Sequence, residues 1–314
     1  MKTAMIIALL GATLAAPALA CSSCGCALTS DWLNQGLVSQ PGTTLALRYD
    51  FVPQTQLRAG DARVSGVALP ADREIEQYTY NHYVTASLDH QFGSDWGFNL
   101  QVPFVYRPHA TIGEGDVERS FSRTGGLGDV RLTARWQGLS TPGNITGLQF
   151  GLVLPTGQIH QGFRDGPAAG EEVDRGLQPG FGVLQAAAGI YRYGRLTTNF
   201  DYIVQFEVRA PLDARDQFKP GLNGQASTGI QYAGWRGVMP QLQLTLRAAA
   251  RDSGENADRE NSGGVQLYAA PGITVDLGKG LSAFGHVQLP LYQHVNGYQL
   301  APRATASLGL QYRL

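Results

Sequence analysis

The chain has 314 residues, 24 basic against 25 acidic, and only 16% of it is charged. A formal charge of −1 with no dense basic stretch excludes a nucleic-acid or other polyanion binder. Beyond the first twenty residues no apolar run approaches the roughly 18 residues a membrane-spanning helix needs, so a helical membrane protein is excluded too.

Residues 1–20 read as a secretory signal: Lys2 opens it, Met5 to Leu14 is apolar, and Ala18-Leu19-Ala20 forms a small-residue cleavage site. Cleavage there would leave Cys21 at the N-terminus and, by removing Lys2, move the formal charge from −1 to −2. The next six residues, CSSCGC, hold all three cysteines of the chain. Gly25 after Cys24 breaks the C-x-x-C-H pattern of covalent haem attachment. Three thiols also fall short of the four ligands of a structural zinc site. Three readings stay open. An oxidising periplasm would favour a disulfide or thiol redox role. Copper(I) or another thiophilic metal would accept Cys21, Cys24 and Cys26 as thiolates. Acylation of Cys21 is the third, although Ala18 stands where a lipoprotein box prefers Leu. Residues 21–42 lack strand alternation and are expected to fold as a plug into the periplasmic mouth of the molecule. Ser30 would cap a short helix at Asp31-Trp32-Leu33, with Trp32 against the wall.

From residue 43 the pattern changes to period two, the repeat of a strand with one apolar and one polar face. In 43–51, Leu45, Leu47, Tyr49 and Phe51 alternate with Ala46, Arg48 and Asp50. Trp96, Phe98, Leu100, Val102, Phe104 and Tyr106 share a second apolar face. Val130, Leu132, Ala134 and Trp136 oppose Asp129, Arg131, Thr133 and Arg135. A stretch over 196–209 sets Leu196, Phe200, Tyr202, Val204, Phe206 and Val208 against Asn199, Asp201, Gln205, Glu207 and Arg209. Leu242, Leu244 and Leu246 oppose Gln243 and Arg247, and the chain closes on Leu308, Leu310, Tyr312 and Leu314. About twelve strands are predicted. Their connections alternate short and long, with long ones near residues 54–76, 108–124, 156–177, 210–219, 252–263 and 292–302.

This sorting predicts an all-β fold, a transmembrane antiparallel up-and-down β-barrel over residues 43–314, with short periplasmic turns and long extracellular loops. A secreted β-sandwich has no reason to sort its loops by length. Aromatics near strand ends, among them Tyr83, Trp96, Trp136, Tyr191 and Tyr193, read as interface girdles. An even strand number would place both termini in the periplasm. The faces assigned to the lumen carry Arg48, Asp50, Asp129, Arg131, Arg135, Asn199, Asp201, Glu207, Arg209 and Arg247, of mixed sign. A salt-bridged, solvated interior is one reading of them, and a path whose arginines steer anions is the other. The charged loops around 164–175 and 251–260 read as solvated surface, with divalent-ion bridging to lipopolysaccharide as the sharper alternative.

Several short motifs occur in order: Gly126-Leu127-Gly128-Asp129-Val130, Leu154-Pro155-Thr156-Gly157, Gln178-Pro179-Gly180-Phe181-Gly182, Val287-Gln288-Leu289-Pro290-Leu291-Tyr292-Gln293 and Val295-Asn296-Gly297-Tyr298-Gln299-Leu300. Together they resemble the outer-membrane family of the putative MetA pathway of phenol degradation, which is distantly similar to the long-chain fatty-acid transporters. The resemblance implies a Gram-negative outer-membrane channel or transporter for small, hydrophobic or aromatic compounds. Its surroundings would be membrane lipid and lipopolysaccharide, and the plug read from residues 21–42 would gate it. The second reading is a barrel that meets periplasmic metal or electron-transfer proteins through CSSCGC. No G-x-S-x-G elbow accompanies the six histidines, so no enzymatic activity is expected.

Overall fold

The computed structural model describes residues 41–65 and 73–314. Within them the chain forms β1 (Gly42–Gly60), β2 (Ala62–Arg63), β3 (Ile75–Phe92), β4 (Trp96–Ile112), β5 (Ser120–Leu127), β6 (Val130–Trp136), β7 (Asn144–Leu154), β8 (Phe163–Asp165), β9 (Gln185–Thr197), β10 (Phe200–Pro211), β11 (Asn223–Tyr232), β12 (Val238–Ala249), β13 (Gly264–Gly278), β14 (Leu281–Pro302) and β15 (Thr305–Arg313). All pairings are antiparallel, and the first strand meets the last: Thr44–Phe51 pairs with Ala306–Arg313 while its other edge pairs with β3. The result is a closed barrel of twelve strands. β5 and β6 count as one of them, because β4 pairs with β6 through Trp96–Gln101 and with β5 through Phe104–Thr111. β2 and β8 are short ribbons outside the count. Closure matters because an unpaired N–H or C=O in hydrocarbon costs several kcal/mol, so a sheet there cannot keep an edge.

The burial pattern is the inverse of a soluble protein's, which hides leucine and exposes arginine. Leu45 and Leu47 are 42% and 54% exposed, whereas Arg48 and Asp50, on the other face of the same strand, are 5% and 2% exposed. The same holds around the ring: Phe98, Leu132, Phe150, Ile190, Phe206, Leu244 and Leu310 point outward, while Asn99, Gln149, Gln243, Gln266 and Gln288 are buried inside. The period-two sequence therefore becomes two surfaces, an apolar exterior and a polar lumen.

Five of the expected long connections join strands at one rim, and short turns join them at the other. Three details depart from the sequence reading. The stretch 196–209 is not one strand: the chain reverses between Thr197 and Phe200, so the polar alternation of β10 begins only at Asp201. The expected loop 292–302 is a tight reversal. Strand β14 ascends to Val295, turns at Gly297 (φ 57°, a left-handed conformation that glycine adopts without strain) and descends beside β1, pairing Leu57 with Leu300. Tyr83, Tyr191 and Tyr193 are not girdle residues. Their parity turns them inward, where Tyr191 and Ile203, each 1% exposed, pack with Ile145 and Tyr193 near the short-turn rim.

Candidate functional site

The connection between β7 and β9, residues 155–184, does not stand out into solvent. It folds into the lumen, and three glycine-bearing motifs hold it there. Thr156 ties the break between β5 and β6: its Oγ1 accepts from Val130 N (3.0 Å) and donates to Gly128 O (2.9 Å). The Asp129 carboxylate accepts Gly157 N (3.0 Å) and Phe181 N (2.8 Å). The backbones of Gly157 and Gly180 cross so closely that a Cβ on Gly180 would lie 2.7 Å from the Gly157 Cα. Only glycine permits that approach. The motifs GLGDV, LPTG and QPGFG thus meet at one carboxylate.

Further along, the Gln161 amide donates to Gly125 O and accepts from Gly125 N, both at 2.8 Å, and Thr124 Oγ1 donates to Leu177 O (2.6 Å). β8 pairs with the outer edge of β5. Val173, Gly176, Leu177, Gln178 and Pro179 are all buried. The neighbouring β10–β11 loop covers this one. Phe218, 1% exposed, stacks on Phe181 at 6.3 Å with an interplanar angle of 2°, and Arg175 bonds Asp216 (3.1 Å).

Below the loop lies a chamber of about 180 Å³. Its walls include Tyr83, Pro103, Val105, Val153, Pro179 and Phe181, and its polar groups include Arg48, Arg107, Gln101, Asp129, Arg131, Gln178 and Arg209. Arg48 Nε is pinned to Asp50 (2.7 Å), which also accepts from Ser307. Arg131 bonds Glu207 (2.5 Å), and Gln149 donates to the same oxygen (2.7 Å). Arg107 donates to Gly176 O, Gln178 O and the Tyr83 hydroxyl.

The other residues read from the sequence lie elsewhere. Arg135, fully buried, makes a two-toothed bond to Asp89 (2.5 and 2.8 Å) nearer the short-turn rim. Asp201 accepts from Tyr193 there (3.3 Å). Asn199 sits in the β9–β10 turn, where its carbonyl accepts Ala233 N. Arg247 faces the lumen from β12 and lines a smaller pocket with Arg209, Phe181 and Asp252. Cys21, Cys24, Cys26 and the expected plug lie outside the described residues. The sequence reading names this strand's apolar face only, through Tyr106, and places Tyr83 in a girdle. The same alternation, carried one residue past outward-facing Tyr106, places Arg107 inside.

At the long-loop mouth, Glu74, Glu114, Asp116, Glu171, Glu172 and Asp174 line a cavity of about 290 Å³. Burial, and then repulsion from Glu74, Glu76 and Asp258, holds the Asp174 carboxyl well above the usual carboxylate range. Among the described residues, no three His, Cys, Asp or Glu side chains are grouped so as to hold a metal ion. Not all the loop acids are solvated surface groups: Asp252 is 7% exposed, its Oδ1 accepts Gly221 N (2.7 Å), and burial followed by the nearby Asp258 pushes it up to about 6.

Among solved structures the chain resembles the COG4313 outer membrane channel from Pseudomonas putida F1, with a TM-score of 0.65 and 12% identity over 88% of this chain and 97% of that one. The fold is that of an outer-membrane β-barrel. A second barrel, the transport unit of the autotransporter AIDA-I from Escherichia coli, aligns with a TM-score of 0.53 and 12% identity over 88% of this chain and 91% of that one. No family model matches the chain, and no curated protein matches it. The resemblance to the MetA-pathway family therefore rests on the motifs themselves, three of which the barrel brings together at Asp129.

Proposed function

We propose that this chain is a Gram-negative outer-membrane channel for small compounds with apolar or aromatic bodies. The observation that carries the reading is the inward loop, residues 155–184. It is held by hydrogen bonds across a polar lumen, and below it lies a small chamber with apolar and aromatic side chains among its charged ones. A cavity of about 150 Å³ accommodates benzene, so 180 Å³ matches a single ring better than a sugar chain. The resemblance to the phenol-degradation family points the same way, and the structural likeness supports the barrel. In this reading the short turns and both termini face the periplasm, and the N-terminal segment adds a second closure below the loop.

The experiment is single-channel recording of the purified protein in planar bilayers. The wild type should show small, interrupted conductance. Asp129→Ala strips the acceptor from two loop N–H groups, each bond to a charged group contributing about 1.5–3 kcal/mol. The variant should conduct more and close less. Silence from both proteins, each shown to be folded, would remove the channel reading.

A further inference from the structure

We infer that the chamber is an anion site, and that the solute it takes is a single-ring carboxylate held by Arg107. The inference deepens the channel reading and rests on it.

The charges around the chamber are not evenly matched. Arg48 is consumed by Asp50, and Arg131 by Glu207. Asp129 lies close enough to Arg209 to feel its charge. Four guanidinium groups therefore face three carboxylates, which leaves one positive charge. Arg107 carries that excess by its contacts. It is 5% exposed, and its hydrogen bonds go to two backbone carbonyls and one phenol hydroxyl, all of them neutral. Its Nε–H has no partner. A buried charge is normally paired, because removing an ion from water without a counter-charge is costly. Here the counter-charge can come from a solute.

The surroundings define that solute. Beside Arg107 stand Tyr83, Val105, Val153, Pro103 and Phe181, an apolar and aromatic lining for a ring. The guanidinium carbon lies 6.0 Å from the Tyr83 ring centroid, so charge and aromatic ring stand side by side in the lining. A guanidinium in the lining matches a carboxylate better than it matches a neutral hydroxyl. An apolar body with one negative head satisfies both halves of the lining. An amine would meet the excess positive charge and be disfavoured.

Arg107 also fastens the loop through Gly176 and Gln178, so the test must separate charge recognition from loop anchorage. Benzoate, benzyl alcohol and benzylamine are added in turn to single channels in planar bilayers. With the wild type, benzoate should interrupt the current at the lowest concentration, benzylamine at the highest. Arg107→Gln should weaken the benzoate effect tenfold or more, the scale of one hydrogen bond to a charged group. It should weaken the benzyl alcohol effect far less, so that the preference for benzoate over benzyl alcohol falls, which loosening of the loop alone would not do. Arg107→Lys keeps the charge and should retain the order of the three solutes with weaker discrimination, and it serves if the Gln variant does not fold. Equal effects of the three solutes on the wild type, or an undiminished benzoate effect in Arg107→Gln, would overturn the anion site while leaving the channel intact. Absence of any conductance would instead overturn the channel reading, and this inference with it.

Discussion

At the scale of single residues, the lumen is held by charges that are satisfied only as pairs. Arg135 and Asp89 are the clearest case: both lie inside the wall, the guanidinium has no exposure, and Asn99 donates a third bond to the same carboxylate. Removing one partner of such a pair leaves the other uncompensated, at about 3–5 kcal/mol, whereas removing both is far milder. Asp89→Ala should therefore lower the urea midpoint of refolded protein substantially, and Asp89→Ala with Arg135→Met should recover most of the loss. Equal midpoints for the single and double variants would mean the pair does not act as a unit. Arg135 was legible in the sequence as an inward residue from its alternation with Ala134 and Trp136. Its partner was not, because Asp89 lies 46 positions away and only the register of β3, β4 and β6 brings them together.

At the scale of elements, the strands were legible and the loops were not. A strand declares itself through neighbouring side chains, and the membrane makes that signal stronger by demanding an apolar face at every second residue. Polar loop residues carry no such period. Residues 155–184 contain Gly, Pro, Gln and charged residues that fit a solvated loop equally well, and their inward course depends on bonds to β4, β5 and the break at Gly128. The connection 250–263 is a second instance, with Asp252 buried where a surface acid was expected. Its folded value of about 6 lies above the ordinary 3.8, so the packed loop holds a proton that an opened loop releases between those values. Packing should be firmest below about pH 4 and weaken as pH rises through about 6, by at most about 3 kcal/mol. Hydrogen exchange at Gly221, whose N–H bonds Asp252, should accelerate across that window. Asp252→Asn, which keeps the acceptor without titrating, should show no such acceleration beyond the intrinsic pH dependence of exchange. Parallel profiles for the two proteins would assign the loop's stability to other contacts.

At the scale of the whole molecule, one physical requirement organises the rest: apolar side chains face hydrocarbon on the outside of a closed ring, and polar ones face its interior. This explains why a chain with few charges buries so many of them, and why its last strand returns to its first. A period of two by itself sets only which side chains share a face; the sorting of the connections into short and long is what assigned the apolar face to lipid. The most direct measurement is a nitroxide scan along β12, from Leu242 to Arg247, in lipid bilayers. Accessibility to oxygen, which partitions into lipid, should peak at 242, 244 and 246. Accessibility to a water-soluble nickel chelate should not peak at those positions, and any signal it gives should fall at 243, 245 and 247. The two profiles running in phase, or oxygen accessibility highest at 243 and 245, would contradict the barrel's placement in the membrane and every functional statement built on it.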